Sequence, residues 1–298
     1  MYYPILRGKQ FELAALREMA EVLQNDLVRP IIEPVRIDHT LLIKTVKALN
    51  DVGIIPIVII NPTLGDYTDT PQPESISLPE ELNYLPCILT SGLSTTVLQE
   101  LIDNFDSYSV YIEEGISREH IGLLADAELI ITKNYQSAVF SDFSNVVIIN
   151  DGFNRRSRNA DYPDFSYFSD THITFHEHAN VIGFGDYTIT GDEFSESGGP
   201  AYVVTIHLSY VNQNEFNSIY IRHFKSYDDS TAARPGDKFG DALRRLISFV
   251  DTNPLDFEST LGLSCFRALH VSDHYPGLGI VKKHSIQHHI ETVVSYIR

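Results

Sequence analysis

The segment that decides the fold reads Pro30-Ile31-Ile32-Glu33-Pro34-Val35, then residues 38–50, then Ile54-Ile55-Pro56-Ile57-Val58-Ile59-Ile60-Asn61. Two short, almost continuous apolar runs flank a stretch in which Leu42, Val46 and Leu49 recur at helical spacing behind Asp38, a capping residue type. Continuous apolar runs suit strands covered on both faces, and strand–helix–strand order implies parallel pairing. Working outward, the same unit recurs. Residues 3–6 form an earlier run, followed by a helix with Leu16, Met19, Ala20 and Leu23 on one face. Later runs lie at residues 87–90, 109–113, 129–132, 146–150 and 181–184, with Ser94 and Ser117 placed to cap the helices after two of them. Eight runs predict a TIM-like (β/α)8 barrel. It is expected to be incomplete or distorted, because residues 134–145 are too few for a full helix and 153–179 lack helical periodicity. An open doubly wound sheet is the alternative. Residues 62–86, with Pro71, Pro73, Pro79 and Pro86, read as a long loop of the kind that often lies over a site.

From about residue 188 the pattern changes. Residues 201–211 alternate, 212–217 turn, and 218–224 return, which reads as a hairpin. Phe239, Leu243, Leu246, Ile247 and Val250 mark an amphipathic helix, and Ile286, Ile290, Val293, Val294 and Ile297 a final one. The expected division is a barrel core over 1–190 and a hairpin with helical tail over 191–298.

Composition bounds the partners. The chain has 298 residues and a formal charge of −18, with 40 acidic against 22 basic side chains. Such a surface repels phosphates, and Arg155, Arg156 and Arg158, or Arg244 with Arg245, are its nearest approaches to a basic cluster. This argues against direct nucleic-acid contact. Cys87 and Cys265 form no C-x-x-C pair, which points to a reducing compartment. The start lacks a secretory apolar run, and no stretch has the length of a membrane span. A cytoplasmic protein without a membrane partner is expected.

In parallel barrels, sites form where the C-terminal ends of the strands meet. Those ends carry Arg7 and Lys9, Glu33 and Arg36, Asn61, Thr90 and Ser91, Glu113, Lys133, Asn150 and Asp151, and Asp186 and Tyr187. Closure would bring them to one mouth, either as a ligand site or as a structural network of opposite charges. Glu33, Glu113, Lys133, Asp151 and Asp186 are the candidates for chemistry. Arg7, Lys9, Arg36, Asn61 and Tyr187 are the candidates for ligand binding. Glu33 and Glu113 end apolar runs and need cationic partners, which Arg7, Lys9 or Lys133 can supply.

Three readings follow. Glu33, Glu113, Asp151 and Asp186 could hold a divalent cation for phosphate-ester hydrolysis. Lys133 could form a Schiff base if its amine were desolvated. Otherwise the mouth and tail recognise a partner or ligand, with the hairpin edge open to strand pairing. Elsewhere, His176 and His178 flank Glu177 in a segment read as extended, where two imidazoles on one side could bind metal, though a packed or surface pair is favoured. His284 and His288 have helical spacing and read as a partly exposed helix face. Gly183-Phe184-Gly185 lacks the third glycine and the helix of a dinucleotide fingerprint. Residues 193–200, with Ser195, Ser197, Gly198 and Gly199, read as a flexible loop.

Five stretches resemble the phage and bacterial "beta protein" family. They are residues 2–12, from Tyr2-Tyr3-Pro4 to Gln10-Phe11-Glu12; Arg29-Pro30-Ile31-Ile32-Glu33-Pro34; and Phe184-Gly185-Asp186-Tyr187. The others are the hairpin ending Ile221-Arg222-His223-Phe224, and the end from Pro276-Gly277 to His288-His289-Ile290. The resemblance implies a barrel protein of phages and genomic islands, a role in phage–host conflict, and a small companion protein encoded nearby. It supplies no reaction. Matching positions Arg7, Lys9, Glu33, Asp186 and Tyr187 coincide with the expected mouth. The expected function is therefore recognition of a partner protein or small ligand through the barrel mouth. A metal-dependent phosphodiesterase-like hydrolase is the alternative, and whether the chain is an enzyme stays open.

Overall fold

The computed structural model describes residues 1–68, 75–196, 199, 201–254 and 257–298. Pro71 and Pro73 of the long loop, and Ser197, Gly198 and Pro200 of the later one, lie outside the described residues. The strands are β1 (Tyr2–Arg7), β2 (Ile31–Glu33), β3 (Ile57–Ile59), β4 (Leu85–Leu89), β5 (Ser109–Ile112), β6 (Leu129–Thr132), β7 (Val146–Asn150), β8 (Phe165–Ser169), β9 (Val181–Asp186), β10 (Thr205–Asn212) and β11 (Ser218–Lys225). The helices are α1 (Gln10–Met19), α2 (Thr40–Asn50), α3 (Thr95–Ile102), α4 (Arg118–Ile121), α5 (Ser137–Phe140), α6 (Thr171–Thr174), α7 (Pro235–Thr252), α8 (Leu261–Ser272) and α9 (Leu278–Ile297).

Strands β1 to β7 and β9 close a parallel barrel, so the TIM-like expectation holds and the open sheet is excluded. One distortion is where the sequence placed it, at residues 134–145, and another lies in the long loop after β3. Between β6 and β7 the helix α5 is a single turn, and the described part of the β3–β4 connection carries only a 3₁₀ turn at Gly65–Tyr67. Local capping follows the sequence in two cases. The Ser94 hydroxyl accepts from the Val97 N–H at 3.3 Å, and that of Ser117 from the His120 N–H at 3.1 Å. Asp38 instead accepts from the N–H of Thr40, at 2.9 Å, and His39 takes the cap position.

The register sorts the barrel side chains into two faces, since successive strand residues alternate. Tyr3, Ile5 and Arg7 match Gly185, Ile31 and Glu33 across the ladders, while Tyr2 and Pro4 match Phe184 and Asp186. Phe184 meets Phe175 and His172 of the segment that leads into β9, which makes its face the outer one. The inner face is crowded at closure. A Cβ on Gly185 would stand 2.1 Å from the Tyr3 carbonyl oxygen and 2.7 Å from Ile149 Cδ1. The two glycines read as a failed dinucleotide motif are thus the residues that let β9 fit between β7 and β1.

The compact units are 1–150 with 171–186, and 151–170 with 187–298. This division is discontinuous because β8, which follows β7 in sequence, pairs antiparallel with β11 instead of joining the barrel. In the second unit the sheet order is β10-β11-β8. Val204, Ile206, Leu208 and Phe224 pack against Phe239, Leu243 and Leu246 of α7 and Phe266 of α8. On the β11 side the hairpin edge is not open to strand addition. β8 takes one side of β11, and α9 covers β10, with His288 Nε2 2.8 Å from the Ser209 carbonyl oxygen.

Helices α8 and α9 touch backbone to backbone at Gly262. A Cβ there would lie 2.1 Å from the His284 carbonyl oxygen and 2.6 Å from the His288 nitrogen. Gly262→Ala is expected to destabilise the second unit by about 1–3 kcal/mol through overpacking. A urea midpoint equal to that of the parent protein would show that the crossing has slack.

Candidate functional site

Arg7 and Glu33 are register partners on the inner face and form an ion pair. Their side chains are 6% and 3% exposed, so this is the partner that Glu33 was expected to need. Paired this way, neither charge is offered to a ligand. Asn61, 1% exposed, is also internally committed. Its Nδ2 donates to the Leu89 carbonyl and its Oδ1 accepts from the Leu89 N–H, both at 2.8 Å. The amide imitates a strand backbone and lengthens the β3–β4 pairing by one step. Arg36 is exposed and pairs with Asp66 at 2.8 Å. Asp66 also accepts from the Ile37 N–H, and these bonds hold its carboxyl below the usual range. Arg36 therefore ties two loops together. Lys9 is half-buried in front of α1.

Glu113 and Lys133 do come together. The Lys133 N–H donates to the Ile112 carbonyl at 3.2 Å, which continues the β5–β6 ladder one step and sets the two residues side by side. Both are half-buried, as is Ser91, whose hydroxyl donates to Glu113 Oε2 at 3.4 Å. Asn134 Nδ2 donates to the Glu113 carbonyl at 2.9 Å. A Schiff-base role for Lys133 requires a desolvated amine, and the residue is half-buried.

Asp186 lies apart from Glu33. The register places it on the outer face, where it accepts from the Tyr2 hydroxyl at 2.8 Å. Burial first, and then the Asp186 charge, raise the Tyr2 phenol well above its ordinary range. Asp151 and Tyr187 belong to the second unit. Asp151 is exposed, beside Gly191. Tyr187 is buried, and its carbonyl accepts from the Thr190 hydroxyl at 2.7 Å. Two of the carboxylates proposed for a divalent cation are thus divided by pairing and by face, Glu33 toward Arg7 and Asp186 toward Tyr2. Among the described residues no group of three or more His, Cys, Asp or Glu is arranged to hold a metal.

The remaining candidates are structural. His176 lies in a 3₁₀ turn over Phe175–Glu177, not an extended segment, and packs on Phe175, while His178 packs on Tyr135. The Cys87 thiol is pushed up to about 12 by burial, which keeps it protonated. The α9 histidines correct the reading of an exposed face, since His284, His288 and His289 are all buried. His288 Nδ1 is 2.7 Å from the Thr260 hydroxyl, His289 Nδ1 2.6 Å from the Ser209 hydroxyl, and His284 Nδ1 2.8 Å from Gln287 Oε1.

Two further groups had weak sequence signals. His207 and His223 are cross-strand partners with their Nδ1 atoms 2.7 Å apart, so one proton is shared between them. His223 Nε2 is 2.9 Å from the Ser166 hydroxyl. Burial lowers both imidazoles. The alternating residues Thr205, His207 and Ser209 could have marked this polar face. Lys238, fully buried in α7, pairs with Asp229 at 2.7 Å and donates to the Tyr202 carbonyl at 2.6 Å. Nothing in the local pattern distinguishes it from a surface lysine.

Among the described residues, no helix is long and apolar enough to cross a membrane. Comparison with protein-family models, with curated proteins and with solved structures returned no match.

Proposed function

We propose that this chain is a recognition protein of phage–host conflict, acting in the cytoplasm, that binds a partner protein or small polar ligand at the barrel mouth. The observation that carries this reading is the Ser91–Glu113–Lys133 cluster at the ends of β4, β5 and β6, half-buried and of mixed charge. Mixed-sign groups held in fixed register offer a donor and an acceptor to one partner, which confers specificity more than raw affinity. Metal-assisted hydrolysis is disfavoured because Glu33 is neutralised by Arg7 and Asp186 lies on the other face. The resemblance to the beta protein family supplies the biological setting and the class of partner, a small companion protein encoded nearby.

The test is co-expression with the product of the adjacent gene. The two chains are expected to co-elute at fixed stoichiometry, and Glu113→Lys with Lys133→Glu is expected to release the partner without moving the thermal midpoint. A chain that purifies alone in every case overturns the reading. Manganese-dependent turnover of a phosphodiester panel would restore the hydrolase.

A further inference from the structure

We propose that the second unit carries a binding cleft for nucleoside phosphates, independent of the barrel mouth. The cleft measures about 530 Å³ and is lined by Arg222, Lys225, Arg244, Arg245, Asp164 and Ser248, among others. That volume lies within the range of small-ligand sites. Four cations against two carboxylates, Asp164 and Asp241, run against the chain's formal charge of −18. Sequence order hides the cluster: Arg222 and Lys225 stand on β11 and the other two arginines on α7.

The cations are positioned. Asp241, 18% exposed, lies 3.6 Å from Arg244 and 3.1 Å from Arg245, and accepts from the Tyr227 N–H at 2.8 Å. Arg222 sits over the Phe249 ring at 4.6 Å, and Lys225 donates to the Tyr162 carbonyl at 2.6 Å. Arg244 and Arg245 remain 62% and 57% exposed, with planar forks suited to phosphate oxygens.

Asp164 acts as an internal stand-in for the ligand's anion. Its carboxylate lies 3.8 Å from both Arg222 and Lys225, beyond hydrogen-bond length, and is 68% exposed. A phosphate with more charge and more acceptors can take its place. Beside the cleft is a surface for a base. Phe165 pairs with Arg222, and Tyr167 with Tyr220, so all four share one face of the sheet. Phe165 and Tyr167 are 54% and 46% exposed, and Tyr167 meets Tyr220 edge-on at 5.6 Å. Cations beside exposed rings are the arrangement that takes phosphates and stacked bases together. The acidic remainder of the surface limits the ligand to a mononucleotide or a short single strand.

Titration at low salt with inorganic phosphate, adenosine monophosphate and a short single-stranded oligothymidylate tests the proposal. Both nucleotides are expected to bind more tightly than phosphate. Arg244→Glu with Arg245→Glu, both at exposed positions, should weaken them by roughly tenfold or more. Asp164→Asn should strengthen binding, and Phe165→Ser should weaken the nucleotides while leaving phosphate unchanged. The tighter of the two nucleotides identifies the source. Absence of binding, indifference to the arginine charges, or weaker binding by Asp164→Asn overturns the cleft. Phosphate binding equal to that of nucleotides overturns the base surface.

Discussion

Replacing Glu33 by alanine is expected to destabilise the barrel unit by about 3–5 kcal/mol, because it leaves the Arg7 guanidinium charged in a dry interior. The side chains are 6% and 3% exposed, so water cannot replace the lost partner. Glu33→Gln should cost nearly as much, since it keeps the shape and removes the charge. The double substitution Arg7→Met with Glu33→Leu should lie close to the parent protein, because two desolvation penalties disappear along with the attraction. Urea titration of the parent, Arg7→Met, Glu33→Leu and the double variant closes a double-mutant cycle. A Glu33→Ala variant within about 0.5 kcal/mol of the parent, the range of ordinary surface substitutions, would mean that solvent reaches Arg7. The double variant also separates structure from recognition, since it leaves Ser91, Glu113 and Lys133 in place.

Acid is expected to destabilise the second unit from about pH 6.5 downward, beginning above the range in which ordinary carboxylates titrate. Burial holds the His288 imidazole at about 4, and lowers His207 and His223 as well. In the unfolded chain all three titrate near 6.5. Between those values the unfolded state takes up more protons, so stability is fully present above about 6.5 and falls as the pH drops towards 4. His288 alone accounts for about 3 kcal/mol across that window, and the His207–His223 pair acts in the same direction. Hydrogen exchange in peptides covering β10 and α9, at matched chemical exchange, follows the unit directly. His288→Asn, which cannot titrate, should flatten the profile. Unchanged protection from pH 7 to 4.5 would show that these imidazoles accept protons without opening the fold.

The barrel strands were legible because their apolar runs are local. Ile31, Ile32 and the run from Ile54 to Ile60 needed no partner to declare a doubly covered strand, and Ser94 and Ser117 marked helix starts by their own side chains. The tail helices α7 and α9 were legible for the same reason, whereas α8 was not read. The α9 histidines were misread because polar residues at helical spacing normally face water, whereas here Thr260, Ser209 and Gln287 receive them. The four cations of the cleft were invisible because two elements far apart in sequence supply them.

What the sequence determined by itself was the order of the barrel strands, and that charges would stand at their ends; it did not mark β8 or α8. The tertiary structure decided which way those charges turn. Side-chain direction in a sheet has a period of two, and the β1 partners of Glu33 and Asp186, Arg7 and Pro4, are three residues apart, so Glu33 faces inward to Arg7 and Asp186 outward to Tyr2. Hydrophobic pattern fixes where a strand is, but its register is set only when neighbouring strands close around it.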